Sequence, residues 1–415
     1  MKTQRILFLI FLILISTFGC DTTEPTELLR ELSSSEMQLI EADNSFGLKL
    51  FKNINAETPD SNVFISPLSI SMALGMTYNG AAGTTEEAMR TTLEFDDLSM
   101  TEINESYESL IELLRGIDSD VEFNIANSIW YKNTKPFKQD FFERCRDYFD
   151  ARVKGVDFSQ SEAVKDTINN WVEKKTNGKI EDILDFVPPD AIMYLVNAIY
   201  FNGIWTYQFD EEDTKDEPFY LPGGGTKECK MMEVKSIFKY FEDSSLQAID
   251  IPYGVGNYSM TVILPRYGGE DIDLLIADLT QEKWNGWMNS FYEDSVNLFL
   301  PKLKLEYKTD SLLKEVLKDM GMEVAFDPDR ADFSGMAELP PQIWIGRVIH
   351  KTFLEIDEEG TEAAAATVVE MLEKSATPGS DFPTMRIDRP YIFAIRENHS
   401  GTILFVGKIV DPVWE

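Results

Sequence analysis

The chain has 415 residues, 43% of them hydrophobic and 12% aromatic, enough for a substantial core and too apolar for a disordered chain. Lys and Arg number 38 against 72 Asp and Glu, a net charge of −34. Such a surface repels nucleic acid and anionic membranes and steers basic partners toward it. With only His350 and His399 as histidines, a His-rich metal site is excluded, and no cofactor is expected.

The chain opens with an export signal. Lys2 and Arg5 supply the positive end, "ILFLIFLILI" (6–15) the apolar run and "STFGC" a cleavage region of mostly small residues. The run falls short of the about 20 residues that span a bilayer. It is similar to bacterial lipoprotein signals, in which the Cys at this position becomes the lipidated N-terminus. Cys20 is therefore expected to carry lipid, although Phe18 stands where a small residue is usual; an ordinary cleaved signal is the alternative. Residues 1–19 would be removed and 20–36, "CDTTEPTELLRELSSSE", would form a polar tether. The expected location is the cell envelope or surface by a membrane anchor, or the medium by secretion. Cys145 and Cys229 then remain, too few for a disulfide framework and wrongly spaced for zinc, and are expected to be free thiols.

Residues 36–115 read as helical, with "EEAMRTTL" and "YESLIELLRGI" apolar at helical spacing. "FNIANSIWY" (123–131) alternates and predicts a strand, whereas "FFERCRDYF" and "KDTINNWVEKKTNGKI" return to helix, the second ended by Asn177–Gly178. "MYLVNAIYFNG" is a continuous apolar run, consistent with a strand buried on both faces. From residue 217 strands dominate: "FKYFED", "LQAIDIPY", "YSMTVILP" and "VNLFLPKLKLEY", interrupted by one helix, "DSLLKEVLKDMG". "GVGNYS" (254–259) lacks the third glycine of a dinucleotide loop and reads as a hairpin turn. No G-x-S-x-G, C-x-x-C, H-E-x-x-H or P-loop pattern occurs. The strand-rich half cannot cover its sheets unless the helical half packs on it, so the reading is one intertwined α+β domain over 37–415.

Between "IWIGRVIHKTFLEID" and "YIFAIR" lies "EEGTEAAAATVVEMLEKSATPGS" (358–380), helix-prone yet set between strands. Its neighbours carry a resemblance. "NVFISPLSISMALGMTYNGAAGTTEEAM" (62–89), "INNWVEKKTNGKI" (168–180), "NAIYFNGIWTYQFD" (197–210), "MGMEVAFDPDRADFSGM" (320–336), "VIHKTFLEIDEEGTEAAAAT" (348–367) and "IDRPYIFAIRENHSGTILFVGKIVDP" (387–412) resemble the serpins. Tyr391 replaces the Phe usual in the last of these. The resemblance implies three β-sheets, about nine helices and an exposed reactive-centre loop. It implies an inhibitor rather than an enzyme: a monomer that traps a serine protease as a covalent acyl-enzyme while the cleaved loop inserts into the largest sheet. A non-inhibitory binding or chaperone module is the rival reading, with a lipoprotein enzyme far behind.

By that resemblance the hinge is Glu358, Glu359, Gly360, Thr361, Glu362, Ala363, Ala364, Ala365, Ala366 and Thr367. Strand alternation gives a residue-level test of it. Thr361, Ala363, Ala365, Thr367, Val369 and Met371 form a small or apolar face fit to enter a core. Glu362 and Glu370 fall on the other face. Gly360 would supply a swivel. Counting along the family's loop places the reactive bond at Lys374–Ser375, which suits a trypsin-like protease. The stretch "SATPGSDFPTM" is longer than usual, so Leu372 or Met371 keep chymotrypsin- or elastase-like targets open and Glu373 a glutamate-specific one, and a cysteine protease is a further alternative. Ser66, Ser69, Asn197 and His350 match the family's shutter, and Trp205 its breach, although each also fits as a buried polar group or core aromatic.

Overall fold

Helix boundaries follow local capping chemistry. Ser33 and Glu36 form a capping box for α1 (Ser34–Glu57). After the short strand β1 (Val63–Ile65), Ser66 caps α2 (Pro67–Tyr78), whose first turn carries Pro67. α3 (Gly83–Thr92) and α4 (Met100–Gly116) follow, α4 with a second capping box from Ser99 and Glu102. The computed structural model describes residues 29–95, 97–188, 191–267, 271–338, 342–361 and 382–414.

Strand β2 (Val121–Lys132), α5 (Gln139–Phe149), β3 (Arg152–Val156), α6 (Ser161–Lys175) and β4 (Met193–Ile204) come next. β5 (Lys215–Tyr220), β6 (Thr226–Glu242), β7 (Leu246–Tyr253) and β8 (Tyr258–Pro265) precede the short helices α7 (Ile272–Ala277) and α8 (Gln281–Met288). Then follow β9 (Tyr292–Pro301), β10 (Leu303–Thr309), α9 (Ser311–Leu317), β11 (His350–Ile356) and the two-residue β12 (Gly360–Thr361). β13 (Thr384–Arg386), β14 (Tyr391–Glu397) and β15 (Ile403–Ile409) complete the order.

One hydrogen-bonded network runs β1-β15-β14-β8-β7-β6-β9-β13, with β5 also on β6; the other runs β10-β11-β12-β4-β2-β3. The first holds two sheets, because the long β6 pairs with β5 at its start and with β7 at its end. With the second network these make three sheets beside nine α-helices among the described residues. Val63 of β1 pairs with Lys408 of β15, so the early helical region is stitched to the late strands.

The six-stranded sheet lies between two apolar layers. Trp130 of β2 and Val196 and Ala198 of β4 join Val164, Ile168 and Trp171 of α6 in one cluster. The opposite face, with Ile199 and Phe201 of β4 and Leu354 and Ile356 of β11, belongs to the main core. On β11 burial alternates, and His350, Thr352, Leu354 and Ile356 point inward.

Three expectations need correction. The block read as helical contains β1, three residues too short to show a period. Two further helices, α7 and α8, interrupt the strand-rich half. Their six and eight residues, each capped at its start by Asp271 or Thr280, offer too few turns for periodicity to register. β4 is not buried on both faces throughout: Met193, Tyr194 and Leu195 are half-buried at its start. Asn177 and Gly178 do end α6, with φ of 49° and 83°, and "GVGNYS" does turn between β7 and β8.

Candidate functional site

The feature that sets this fold apart lies between β4 and β11. β11 pairs with β10 along its whole length, from Leu303↔Ile356 to Thr309↔His350, and β4 pairs with β2 from Val121↔Gly203 to Tyr131↔Met193. Described pairing between β4 and β11 passes through β12 alone: Thr361 stands opposite both Ile356 and Gly203, and Gly360 opposite Ile204. At that level the two strands therefore stand about two strand spacings apart, roughly 9–10 Å. Just below Thr361 a cleft of about 20 Å³ is lined by Ile199, Tyr200 and Phe201 on one side and Phe353 and Leu354 on the other. That volume admits about one water molecule.

A tight turn delivers the chain into this position. The Asp357 carboxylate accepts the Glu359 and Gly360 amides at 3.0 and 3.2 Å, while the Asp357 amide donates to the Gly360 carbonyl. Trp205, buried just beyond β4, donates its indole N–H to the Asp357 carbonyl at 2.9 Å. Its backbone N–H donates to Glu359, and that of Phe209 to Glu358, so the turn is fastened from one side. From the other, Lys302 donates to Glu358 Oε2 at 2.6 Å and Thr214 to Oε1 at 2.7 Å. Burial works to raise the Glu358 carboxyl, but the Lys302 and Thr214 bonds outweigh it and hold it below the usual carboxylate range.

Gly360 is required here by space rather than by a swivel: its φ is not positive, and an added Cβ would sit 2.1 Å from the Gly203 carbonyl oxygen. Thr361 is 3% exposed, and its hydroxyl meets the Tyr253 hydroxyl at 2.5 Å. Tyr253 in turn stacks on Trp205, ring centroids 4.3 Å apart. The inward face expected for Thr361 is the face it presents. The rest of the sequence-defined hinge, Glu362 to Thr367, together with Lys374, Ser375 and Cys20, lies outside the described residues.

A buried polar chain crosses the core side of the same sheet. His350 Nε2 accepts the Ser66 amide at 3.0 Å, so its ring proton sits on Nδ1. The Ser66 hydroxyl donates to the Leu404 carbonyl and accepts the Ser69 amide. The Ser69 hydroxyl donates to Asn197 Oδ1 at 2.5 Å, Asn197 donates to Asn127 Oδ1 at 2.7 Å, and Asn127 donates to the Phe149 carbonyl. The start of α2 thus links β11 to β4 and β2, and the four residues singled out in the sequence do come together. His350 serves as an acceptor for an amide and not as a base for a nucleophile. Burial pulls its pKa down to about 3, so it stays neutral.

Asn127, Lys302, Thr214 and Tyr253 were not foreseen. Asn127 had a signal, a second amide inside the apolar strand "NIANSIWY", and it faces Asn197 in register. Lys302 had none, being one of several lysines in "LPKLKLEYK". Cys145 and Cys229 are buried free thiols, and burial pushes the Cys145 thiol up to about 12.

A family model described as "Serpin (serine protease inhibitor)" matches residues 41–412. A serpin-like protein of Methanosarcina acetivorans is 33% identical over the full length of both chains. The leukocyte elastase inhibitor of Equus caballus is 35% identical, covering 90% of this chain and 100% of that one. Among solved structures, human thyroxine-binding globulin superposes with a TM-score of 0.83 at 29% identity, covering 92% of this chain and 100% of that one.

The polar chain has a pH signature. An exposed histidine titrates at 6.5 and His350 at about 3, so between these values the unfolded chain binds a proton that the folded chain lacks. The stability tied to a neutral His350 is whole above pH 6.5 and is lost as pH falls toward 3. Asp43, pushed up to about 7 by burial despite bonds from Ser71 and Tyr107, contributes the opposite slope over an overlapping window. The quantity to read is therefore the difference between wild type and His350→Gln in urea unfolding from pH 7 to pH 4. That difference should shift in favour of the variant by up to about 1.4 kcal/mol per pH unit as pH falls. A difference that does not change with pH would mean that His350 is not held neutral.

Proposed function

The chain belongs to the serpin family, and from that premise we propose that it inhibits serine proteases, trypsin-like ones first, by offering the loop that carries the Lys374–Ser375 bond as bait. The observation that carries the reading is the seating of Gly360–Thr361 between β4 and β11, antiparallel to both, in the place a further strand of this sheet would take. The protease serine attacks the Lys374 carbonyl and releases the amine of Ser375, leaving an acyl-enzyme. The freed segment from Glu362 onward then adds to β4 and β11 as a full strand and carries the protease with it before water can hydrolyse the ester. Small inward side chains at Ala363, Ala365 and Thr367 suit that passage, because an unpaired buried charge costs several kcal/mol and overpacking about 1–3 kcal/mol.

In this reading the chain from His350 through Ser66 and Ser69 to Asn197 is the shutter that yields as β4 and β11 part, and Trp205 with Tyr253 marks where the loop first inserts. The likeness to thyroxine-binding globulin favours a second reading, a non-inhibitory binding module that traps no protease. Covalent trapping separates the two. The proposal also takes Cys20 as a lipid anchor holding the inhibitor at the cell envelope.

Incubation with trypsin should give an adduct that survives SDS and heat, with cleavage after Lys374. Lys374→Ala should cut trapping of trypsin at least about tenfold and change that of elastase far less; equal trapping of trypsin by both proteins would place the reactive bond elsewhere.

The alternation has its own test. Thr361→Arg asks the seat beside Tyr253 to hold a guanidinium, at a cost of several kcal/mol that unseats β12 in the intact protein and must be met again when the loop inserts. This variant should still be cut after Lys374 but release active protease, whereas Glu362→Arg should keep most of its trapping. Identical behaviour of the two would remove the case for an inward and an outward face.

For the anchor, Cys20→Ser should move the protein from the detergent phase to the aqueous phase, since several acyl chains hold a protein firmly to a membrane. Unchanged partitioning would point to an ordinary cleaved signal.

A further inference from the structure

Lys302, which holds Glu358 at the hinge turn, is itself held from behind. The segment after β15 crosses the molecule on fixed points. Asn62 donates to the Asp411 carbonyl at 2.7 Å and accepts the Val410 amide at 2.8 Å, and Lys227 pairs with the Asp411 carboxylate at 2.7 Å. The Lys304 amide then donates to the Val413 carbonyl at 2.7 Å. These bonds lay the Trp414 ring against Lys302, whose ammonium stands 4.2 Å from the ring centroid. Lys302 is 15% exposed at its side chain and Glu358 7%, so the pair is screened on the side that Trp414 covers.

The geometry points to Trp414 as a positioning residue for the hinge: it caps the Lys302 ammonium and so fixes the Glu358 turn from which the loop enters the sheet. An ammonium over an aromatic face is attracted by the ring, and excluding water there strengthens its bond to the carboxylate. The chain is short: Trp414 on Lys302, Lys302 on Glu358, and the Glu358 and Glu359 carbonyls on the Phe209 and Trp205 amides. Removing the ring frees Lys302 to turn toward water, and the turn then opens more often. The functional consequence, that an uncut loop would slip into the sheet prematurely, rests on the insertion reading above; the positioning itself does not.

The test reads the hinge directly by hydrogen exchange in the intact protein. In Trp414→Ala the amides of Trp205 and Phe209 should exchange about three- to tenfold faster, while those of Phe393 and Val406 in the central strands keep their rates. Trp414→Phe, which retains a ring face, should stay within about twofold of wild type. Lys302→Ala should speed the same two amides, and adding Trp414→Ala to it should do nothing more, because the ring acts through Lys302. Unchanged exchange at residues 205 and 209 in Trp414→Ala would overturn the assignment. So would acceleration spread over the central strands, or an undiminished effect in the Lys302→Ala background. Adduct formation with trypsin, measured in parallel, keeps the two readings apart. Faster hinge exchange in a protein that never forms an adduct would sink protease inhibition and leave the role of Trp414 standing.

Discussion

Backbone N–H and C=O groups inside a sheet are satisfied by the neighbouring strand. Between β4 and β11 the described residues that supply such partners are Gly360 and Thr361. The rest of the site is arranged around them. Trp205, Tyr253, Lys302 and Thr214 fix where the chain comes in, and the cleft beneath Thr361 continues its line between Phe201 and Leu354. On the insertion proposed above, the sheet would exist in two arrangements of similar backbone and different pairing, which is the physical requirement for a switch.

What keeps β4 and β11 in place is a polar chain and not packing alone. Ser66 does two things at once: as the residue capping α2 it accepts the Ser69 amide, and its own amide donates to His350. Ser69 then reaches Asn197 on β4. Each such bond contributes only about 0.5–1.5 kcal/mol net, yet a buried partner left alone costs about 1–3 kcal/mol. Moving β4 away from α2 is therefore possible only where the groups exchange partners together. The neutrality of His350 matters for the same reason, since a protonated ring could not accept the Ser66 amide.

Much of this was legible in the sequence, though unevenly. The strands "LQAIDIPY" and "YSMTVILP" were read from the sequence, and so was α6 with its Asn177–Gly178 stop. Of the hinge, which the resemblance assigned, Thr361 alone bears on the alternation, and it is buried as its inward face requires. Ser66, Ser69, Asn197 and His350 were found only through family resemblance, for their meeting depends on long-range pairing that no local rule contains. Lys302 and Trp414 were illegible for a related reason. A lysine and a tryptophan 112 positions apart acquire meaning only when the segment after β15 lies against β10. The small helices α7 and α8 were missed because they have too few turns for a period.

The same geometry explains why β12 is a Gly followed by a Thr. Two glycines from distant parts of the chain approach each other where β12 meets β4. A Cβ on Gly360 would strike the Gly203 carbonyl, and one on Gly203 would lie 2.9 Å from the Tyr253 ring. Tyr253 is fixed by its stack on Trp205, so neither backbone can retreat without disturbing the ring pair. The narrowness lets the Thr361 hydroxyl reach Tyr253, and it also sets register. Sliding the chain by one residue would bring Thr361 to the place that only glycine fits, and Glu362 to the seat beside Tyr253. Steric exclusion at one position and charge burial at the next both oppose the slip. On the insertion proposed above, the register of the entering strand would thereby be set at Gly360 and Thr361.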